Sequence, residues 1–198
     1  SLTGRTIRER AQALIDIAHP DDRPGLIEEA KKANVLYKDQ LFLAESARLY
    51  PRDIQYEHVF KGDIKVKFRP IKPSDEEEMR SLFYRFSDKA VYYRYFSPIK
   101  TMPHRKMQEY VNVDYRQAMS IVGSIDNHII AEARFVKDKR RPYGDFAVVV
   151  DENHQGLGIA SYMIELLVPL AKERGLKGFT ADVLASNKSM MKVFEKSG

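Results

Sequence analysis

Cysteine is absent from this chain of 198 residues. Disulfide scaffolds, thiolate zinc sites and cysteine nucleophiles are therefore excluded, and a reducing, cytoplasmic setting fits that usage. No apolar run reaches the roughly 18 residues that a membrane-spanning helix needs. The opening SLTGRTIRER is polar and carries no apolar signal core. The five histidines, His19, His58, His104, His128 and His154, lack metal-ligand spacing, so no metal is expected. Acidic residues are the minority: 28 Asp and Glu face 33 Lys and Arg, for a net charge of +5. Such a surface could attract nucleic acid, an acidic protein or a polyphosphate. The basic residues are dispersed, however, except for KDKRR at Lys137 to Arg141. No nucleic-acid reader motif accompanies them, and KDKRRPYG reads as a solvated hairpin loop.

What remains is ordinary for a globular protein, with 43% hydrophobic and 31% charged residues. The length allows one core, or one domain with a small attachment. No repeat or low-complexity tract is present. Residues 1 to about 34 read as two short helices. Thr6 can cap the first, and Ile7, Ala11, Leu14, Ile15 and Ala18 form its apolar stripe. After HPDDRPG, Leu26, Ile27, Ala30 and Ala33 mark the second, which Asn34 could close. Val35 to Phe60 reads as an aromatic linker packed on something else.

From Asp63 the rhythm changes. KVKFRPI alternates as a strand, and Ser74 with Glu77 predicts a capping box ahead of a helix carrying Met79, Leu82, Phe83 and Phe86. A second short helix is expected over His104 to Asp114. Strands follow at Met119 to Ile125 and His128 to Val136, joined by the turn residues Asp126 and Asn127, and then at Asp145 to Asp151. A long helix follows with Ile159, Met163, Ile164, Leu167 and Leu170 inward; Gly175 ends it and Pro169 should bend it. A strand Phe179 to Ala185 and a helix capped by Asn187 complete the order. That order predicts an α/β (α+β) layer structure with a mixed, mostly antiparallel sheet flanked by helices, behind an N-terminal helical extension.

The segment NHQGLGIA joins a buried strand to a long helix. The first amides of a helix lack partners within it, and the helix dipole adds positive potential there. Gly156 and Gly158 remove side chains, so a diphosphate can approach the backbone. The third glycine of a dinucleotide fingerprint and the Lys-Ser/Thr of a P-loop are both missing, which counts against NAD and ATP.

QGLGIA is similar to the acetyl-CoA pyrophosphate loop of GNAT-type N-acetyltransferases, Gln/Arg-x-x-Gly-x-Gly/Ala. DFAVVVD before it, and Asn187, Lys196 and Gly198 after it, fit the same family, over about residues 63–198. YYRYFS and DFAV resemble the bacterial protein-lysine acetyltransferases of the Pat type. RERAQALIDIAHPDDRPGLIEEAKK resembles instead the C-terminal tail of acetyl-CoA hydrolase/CoA-transferase proteins, over residues 1–50, with 51–62 as linker. The resemblance implies that acetyl-CoA binds Val148, Val149, Val150, Gln155, Gly156, Leu157, Gly158, Ile159, Ala160 and Asn187. It implies direct acetyl transfer to an amine acceptor, plausibly a protein lysine. A regulatory unit that binds acetyl-CoA without transferring it is the alternative.

For the general base, the family resemblance points to Asp145, where Pat-type enzymes carry Glu. Asp145 could equally be a strand-start residue after Gly144. Glu132 on the neighbouring strand is the second candidate, or else a salt-bridge carboxylate. Asp151 and Glu152 are expected to face solvent in the loop. The family's proton-donating Tyr is replaced by Phe194, which cannot donate. Tyr92, Tyr93, Tyr95 and Phe96 are either core or a wall of the acceptor groove, with Arg94 turned to an acidic protein surface. His154 could touch phosphate. Family members normally continue past the last helix, so the strand at Phe179 would have an open edge. A second copy of the chain, a swap, or Val35 to Phe60 could cover it.

Overall fold

A computed structural model describes residues 2–19, 21–40 and 50–197. Helices α1 (Ile7–Ile17) and α2 (Arg23–Lys32) open the chain. Thr6 caps α1: its hydroxyl accepts from the Glu9 amide at 3.2 Å while the Glu9 carboxylate accepts from the Thr6 amide at 2.7 Å. The apolar stripe expected on α1 is only partly used. Ile15 is buried, whereas Ile7 and Leu14 are 71% and 50% exposed. The docked face is polar instead: Gln12, fully buried, donates to the Pro73 carbonyl, and Arg8 pairs with Glu77 at 2.9 Å. Asn34 adopts a left-handed conformation after α2.

The rest is built on one six-stranded sheet: β1 (Tyr56–Phe60), β2 (Ile64–Pro70), β3 (Ala118–Ile125), β4 (His128–Lys137), β5 (Tyr143–Val150) and β6 (Gly178–Thr180). Spatial order follows chain order, and every pairing is antiparallel except β5 with β6. Two strands differ from expectation. Residues 56–60, expected as linker, form edge strand β1 on β2, so they lie at the opposite edge from β6 and cannot cover it. The predicted strand Phe179 to Ala185 shrinks to the three residues of β6. Beyond Thr180 the chain leaves β5, and alternation alone could not reveal that departure.

Between β2 and β3 lie α3 (Glu76–Arg85), α4 (Asp88–Tyr95) and α5 (His104–Val111). The Ser74 capping box does not form. A 3-10 turn, Pro73–Asp75, precedes α3, and Asp75 stands at the N-cap position of α3 without a side-chain cap bond. Its carboxylate accepts from the Lys72 amide at 2.9 Å and is gripped by Arg69 at 2.6 and 2.8 Å. That bidentate charge-assisted pair holds the turn in place. Helix α4, whose sequence periodicity is obscured by its aromatics, starts at Ser87, whose hydroxyl accepts from the Ala90 amide. Helix α6 (Ile159–Glu173) continues through Pro169, and α7 (Lys188–Lys196) is capped by Asn187.

Asp126 and Asn127 take positive φ, as a tight β3–β4 hairpin turn requires. Met163 and Leu167 of α6 are fully buried, and α6 packs on β4 and β5. Gly123 on β3 leaves room for Phe68: a Cβ there would sit 2.8 Å from that ring. Among the described residues no helix is long and apolar enough to cross a membrane.

Asp16 on α1 is a carboxyl in a poorly solvated place. Burial raises its pKa to about 6, against the opposing pull of Lys72 and Arg23, and Asp75 adds to the rise. A raised carboxyl pKa costs stability above the folded value and nothing below the unfolded one. Asp16→Asn should therefore stabilise the chain by about 1–2 kcal/mol above pH 7, allowing for solvent screening. The gain should vanish below about pH 4 in urea unfolding curves.

Candidate active site

Strand β5 positions the site because only part of it is paired on both sides. Its β6 partners end at Asp145, opposite Thr180, while its pairing with β4 runs on to Val150. The backbone bonds Asp138 to Tyr143 and Asp151 to Ile130 fix which residues face β4. In an antiparallel ladder these alternate, so Asp145, Ala147 and Val149 turn their main-chain groups to β4. Phe146, Val148 and Val150 turn theirs the other way. Past Asp145 those groups look into a cleft of about 1020 Å³ between β5 and the segment Thr180 to Phe194.

The far end of the cleft is the loop before α6. Asp151 stays buried, contrary to the solvent-facing position expected for it. Its carboxylate pairs with Arg85 at 2.8 Å and accepts from the Asn153 amide at 3.0 Å. Burial works against the Asp151 charge, but Arg85 and that amide overcome it and hold its carboxyl below the ordinary range. Glu152 is exposed as expected and accepts from the Ser87 hydroxyl at 2.5 Å, tying α4 to the loop. His154, half-buried, lines the cleft and lies 3.4 Å from the Asp151 carboxylate.

Gly156 and Gly158 have φ of 77° and 91°, conformations that disfavour a side chain. A Cβ on either would meet open space. Gly158 is the N-cap of α6, supplies no side-chain cap, and the first turn of α6 carries no acidic residue. The amides of this turn are thus available to an anion, with the helix dipole behind them. Gln155 is exposed, yet its side-chain amide donates to the Val150 carbonyl at 3.1 Å and braces the loop against β5.

Of the residues that the sequence nominates, Asp145, Val148, Val149, Val150, Gln155, Gly156, Gly158, Ile159, Ala160 and Asn187 all line this one cleft. Leu157 packs half-buried against the core instead. Glu132 is fully buried on β4, outside the cleft lining. It lies opposite Val149, so about 13 Å of strand separates it from the level of Asp145. Asp145 is exposed and accepts a 2.7 Å hydrogen bond from Thr180. Phe194 lines the cleft and meets Phe146 edge-on at 5.8 Å.

Sequence reasoning missed the network around Glu132. Its carboxylate accepts from Tyr110 at 2.8 Å, Ser120 at 2.6 Å and Arg134 at 2.6 Å. Arg134 lies over the Tyr110 ring at 3.4 Å. Arg94 turns inward, not to an outer surface, and donates to the Tyr110 hydroxyl at 2.6 Å. Burial opposes the charge on Arg134, but Glu132 and Tyr110 more than offset it. Burial likewise pushes the Tyr110 phenol up, keeping it neutral. Its members are scattered over α4, α5, β3 and β4, and no local spacing signals the cluster. The aromatic run divides: Tyr95 packs on Phe83, while Tyr93 and Phe96 line the cleft, Tyr93 donating to the Ser186 carbonyl at 3.2 Å. Loop KDKRRPYG is a hairpin closed by Asp138, which accepts from the amides of Arg140 and Arg141.

A strand that parts from its parallel neighbour, and a glycine loop feeding a helix at the parting, define the acyltransferase class with this sheet. The profile of the Acetyltransferase (GNAT) family matches residues 77–198, and the chain belongs to that family. Residues 1–30 match the acetyl-CoA hydrolase/transferase C-terminal domain. The chain is similar to acetyltransferase Pat of Mycolicibacterium smegmatis, with 33% identity over 135 residues, 66% of this chain and 40% of that protein. It therefore spans less than half the length of that relative. Acetyltransferase PA5475 of Pseudomonas aeruginosa is 23% identical over 63% of this chain and 69% of its own. Among solved structures, the GNAT domain of the S. lividans PAT superposes with a TM-score of 0.71 and 28% identity, covering 75% of this chain and 89% of that one.

The saturated environment of Glu132 predicts a structural effect of its removal. Glu132→Gln should leave Arg134 buried beside a neutral partner and cost about 3–5 kcal/mol in urea unfolding.

Proposed function

We propose that this chain is an N-acetyltransferase that takes acetyl from acetyl-CoA and passes it directly to an amine, with a protein lysine as the acceptor. The observation that carries this reading is the open edge of β5, running from a carboxylate at one end to unoccupied helix amides at the other. The residues fit the donor. The Gly156 to Ala160 main chain would hold its diphosphate, with Asn187 on the opposite wall. The pantetheine arm would lie along the main-chain groups of Val148 and Val150. Acetyl-CoA supplies an activated thioester there.

The protein's own groups do the rest. An amine with a pKa near 10.4 is mostly protonated at neutral pH and must lose a proton before it attacks. Asp145 takes that proton through an intervening water, because aspartate is one methylene shorter than glutamate. Thr180 holds the carboxylate in place with its hydroxyl. The main-chain amides of Val148 and Val150, which face the cleft, stabilise the negative charge that develops on the carbonyl oxygen. Among the described residues no cluster of three or more His, Asp or Glu could hold a metal ion. Support for a protein acceptor comes from the resemblance of YYRYFS and DFAV to Pat-type enzymes and from the aromatic cleft wall of Tyr93 and Phe96.

Phe194 favours a second reading, an acetyl-CoA-binding regulatory unit in which transfer is slow, since no hydroxyl stands at that point to protonate the leaving thiolate. Calorimetry with acetyl-CoA, together with thiol release against a panel of proteins and amines, separates the two. Tight binding without thiol release supports the second. Under the first, Asp145→Asn should lower kcat by about a hundredfold while leaving acetyl-CoA affinity unchanged. An unchanged kcat removes Asp145 as the base. Gly156→Val should raise the KM for acetyl-CoA by about tenfold or more, since φ of 77° disfavours a branched side chain at the anion loop.

A further inference from the structure

A second cavity, of about 500 Å³, lies where α1 meets the turn at Lys72 to Ser74, away from β5. Its two sides differ in chemistry. Ala13, Leu14 and Ile17 of α1 give an apolar wall, with Leu14 and Ile17 50% and 74% exposed. Arg5, Arg52 and Lys72 bring three cations to the same space. One acid, Asp16, faces them. Tyr50 and Tyr115 also line it but spend their hydroxyls on the carbonyls of Pro70 and Ile71.

Ser74 points to a ligand more directly. It is 4% exposed, lines this cavity, and its hydroxyl has no hydrogen-bond partner among the described residues. A buried hydroxyl left unmatched costs free energy, and native proteins rarely tolerate one without a reason. The sequence places Ser74 where a helix cap should be, but the 3-10 turn moves the N-cap position to Asp75. Ser74 is thus free of a folding duty and sits beside a cationic rim.

We propose that this cavity is a binding site for a small organic anion with an apolar body, such as a medium-chain carboxylate. The anionic head would take the Ser74 hydroxyl and the Lys72 and Arg52 charges, and the body would lie on Leu14 and Ile17. The volume falls within the range of about 300–1,000 Å³ common to small-molecule sites. The site is made jointly by the N-terminal helix and the GNAT domain, so its occupant would clamp α1 onto the turn. Burial lowers the pKa of Lys72 and raises that of Asp16, in keeping with a poorly solvated pocket.

Titration of the whole chain with octanoate, in the presence of saturating CoA, tests the proposal. One octanoate per chain should bind, and CoA should not displace it. Ser74→Ala should weaken binding by about tenfold, the value of a hydrogen bond to a charged group. Its melting temperature without octanoate should not fall, because the hydroxyl has nothing to lose. Lys72→Met should weaken binding at least as much; should that variant unfold, Arg52→Gln, on the exposed rim, replaces it. No binding at millimolar octanoate, displacement by CoA, or affinity indifferent to Ser74→Ala and to the charge variants would each overturn the assignment. None of these readouts depends on acetyl transfer, so the catalytic reading can fail without affecting this one.

Discussion

The structure turns on one interruption of hydrogen bonding. β5 is paired along its whole length on the β4 side, but its parallel partner leaves at Thr180. A strand edge inside a protein must satisfy its amides and carbonyls somehow. Here the chain does not continue the sheet, and of the edge groups beyond Asp145 the Val150 carbonyl is met by the Gln155 side chain. The chain leaves a cleft with main-chain donors and acceptors on one wall. An extended ligand with amide groups can complete that edge as a strand would, and the GNAT family membership gives the ligand its identity.

Two ionic assemblies, one around the buried Asp151 and one around the buried Glu132, keep β5 and its loop in place. Arg85 and Asp151 pin the start of the loop, and Arg85 also donates to the Ile129 carbonyl at the head of β4. Glu132, Arg134, Tyr110 and Arg94 join α4 and α5 to the middle of the sheet. Buried charges of this kind add little net stability compared with an apolar core, but each member depends on the others. They fix the height of α4 over the cleft, and with it Tyr93 and Phe96, which line it.

Much of the site was legible because it is local. The Gln155 to Ala160 loop joins a buried strand to an amphipathic helix within a few residues, and glycine spacing reports the backbone it needs. Asn187 is similar: its side chain accepts from the Met190 amide, a cap visible as Asn ahead of a helical pattern. Leu157 sits in the same loop yet turns inward, since alternate positions of a tight turn face opposite ways. Glu132 illustrates the limit. Its spacing in β4 gives no clue that Tyr110 and Ser120 come from other elements to surround it.

Fold family, the β3–β4 hairpin turn and the glycine loop were set by patterns that one segment carries alone, because hydrophobic period, caps and glycine conformation act over a few residues. Where β6 parts from β5, which carboxylate faces the cleft, which strand the linker becomes, and why Ser74 is left without a partner were decided only in three dimensions. Each depends on which distant groups compete for the same hydrogen bonds, and that competition exists only once the chain has folded.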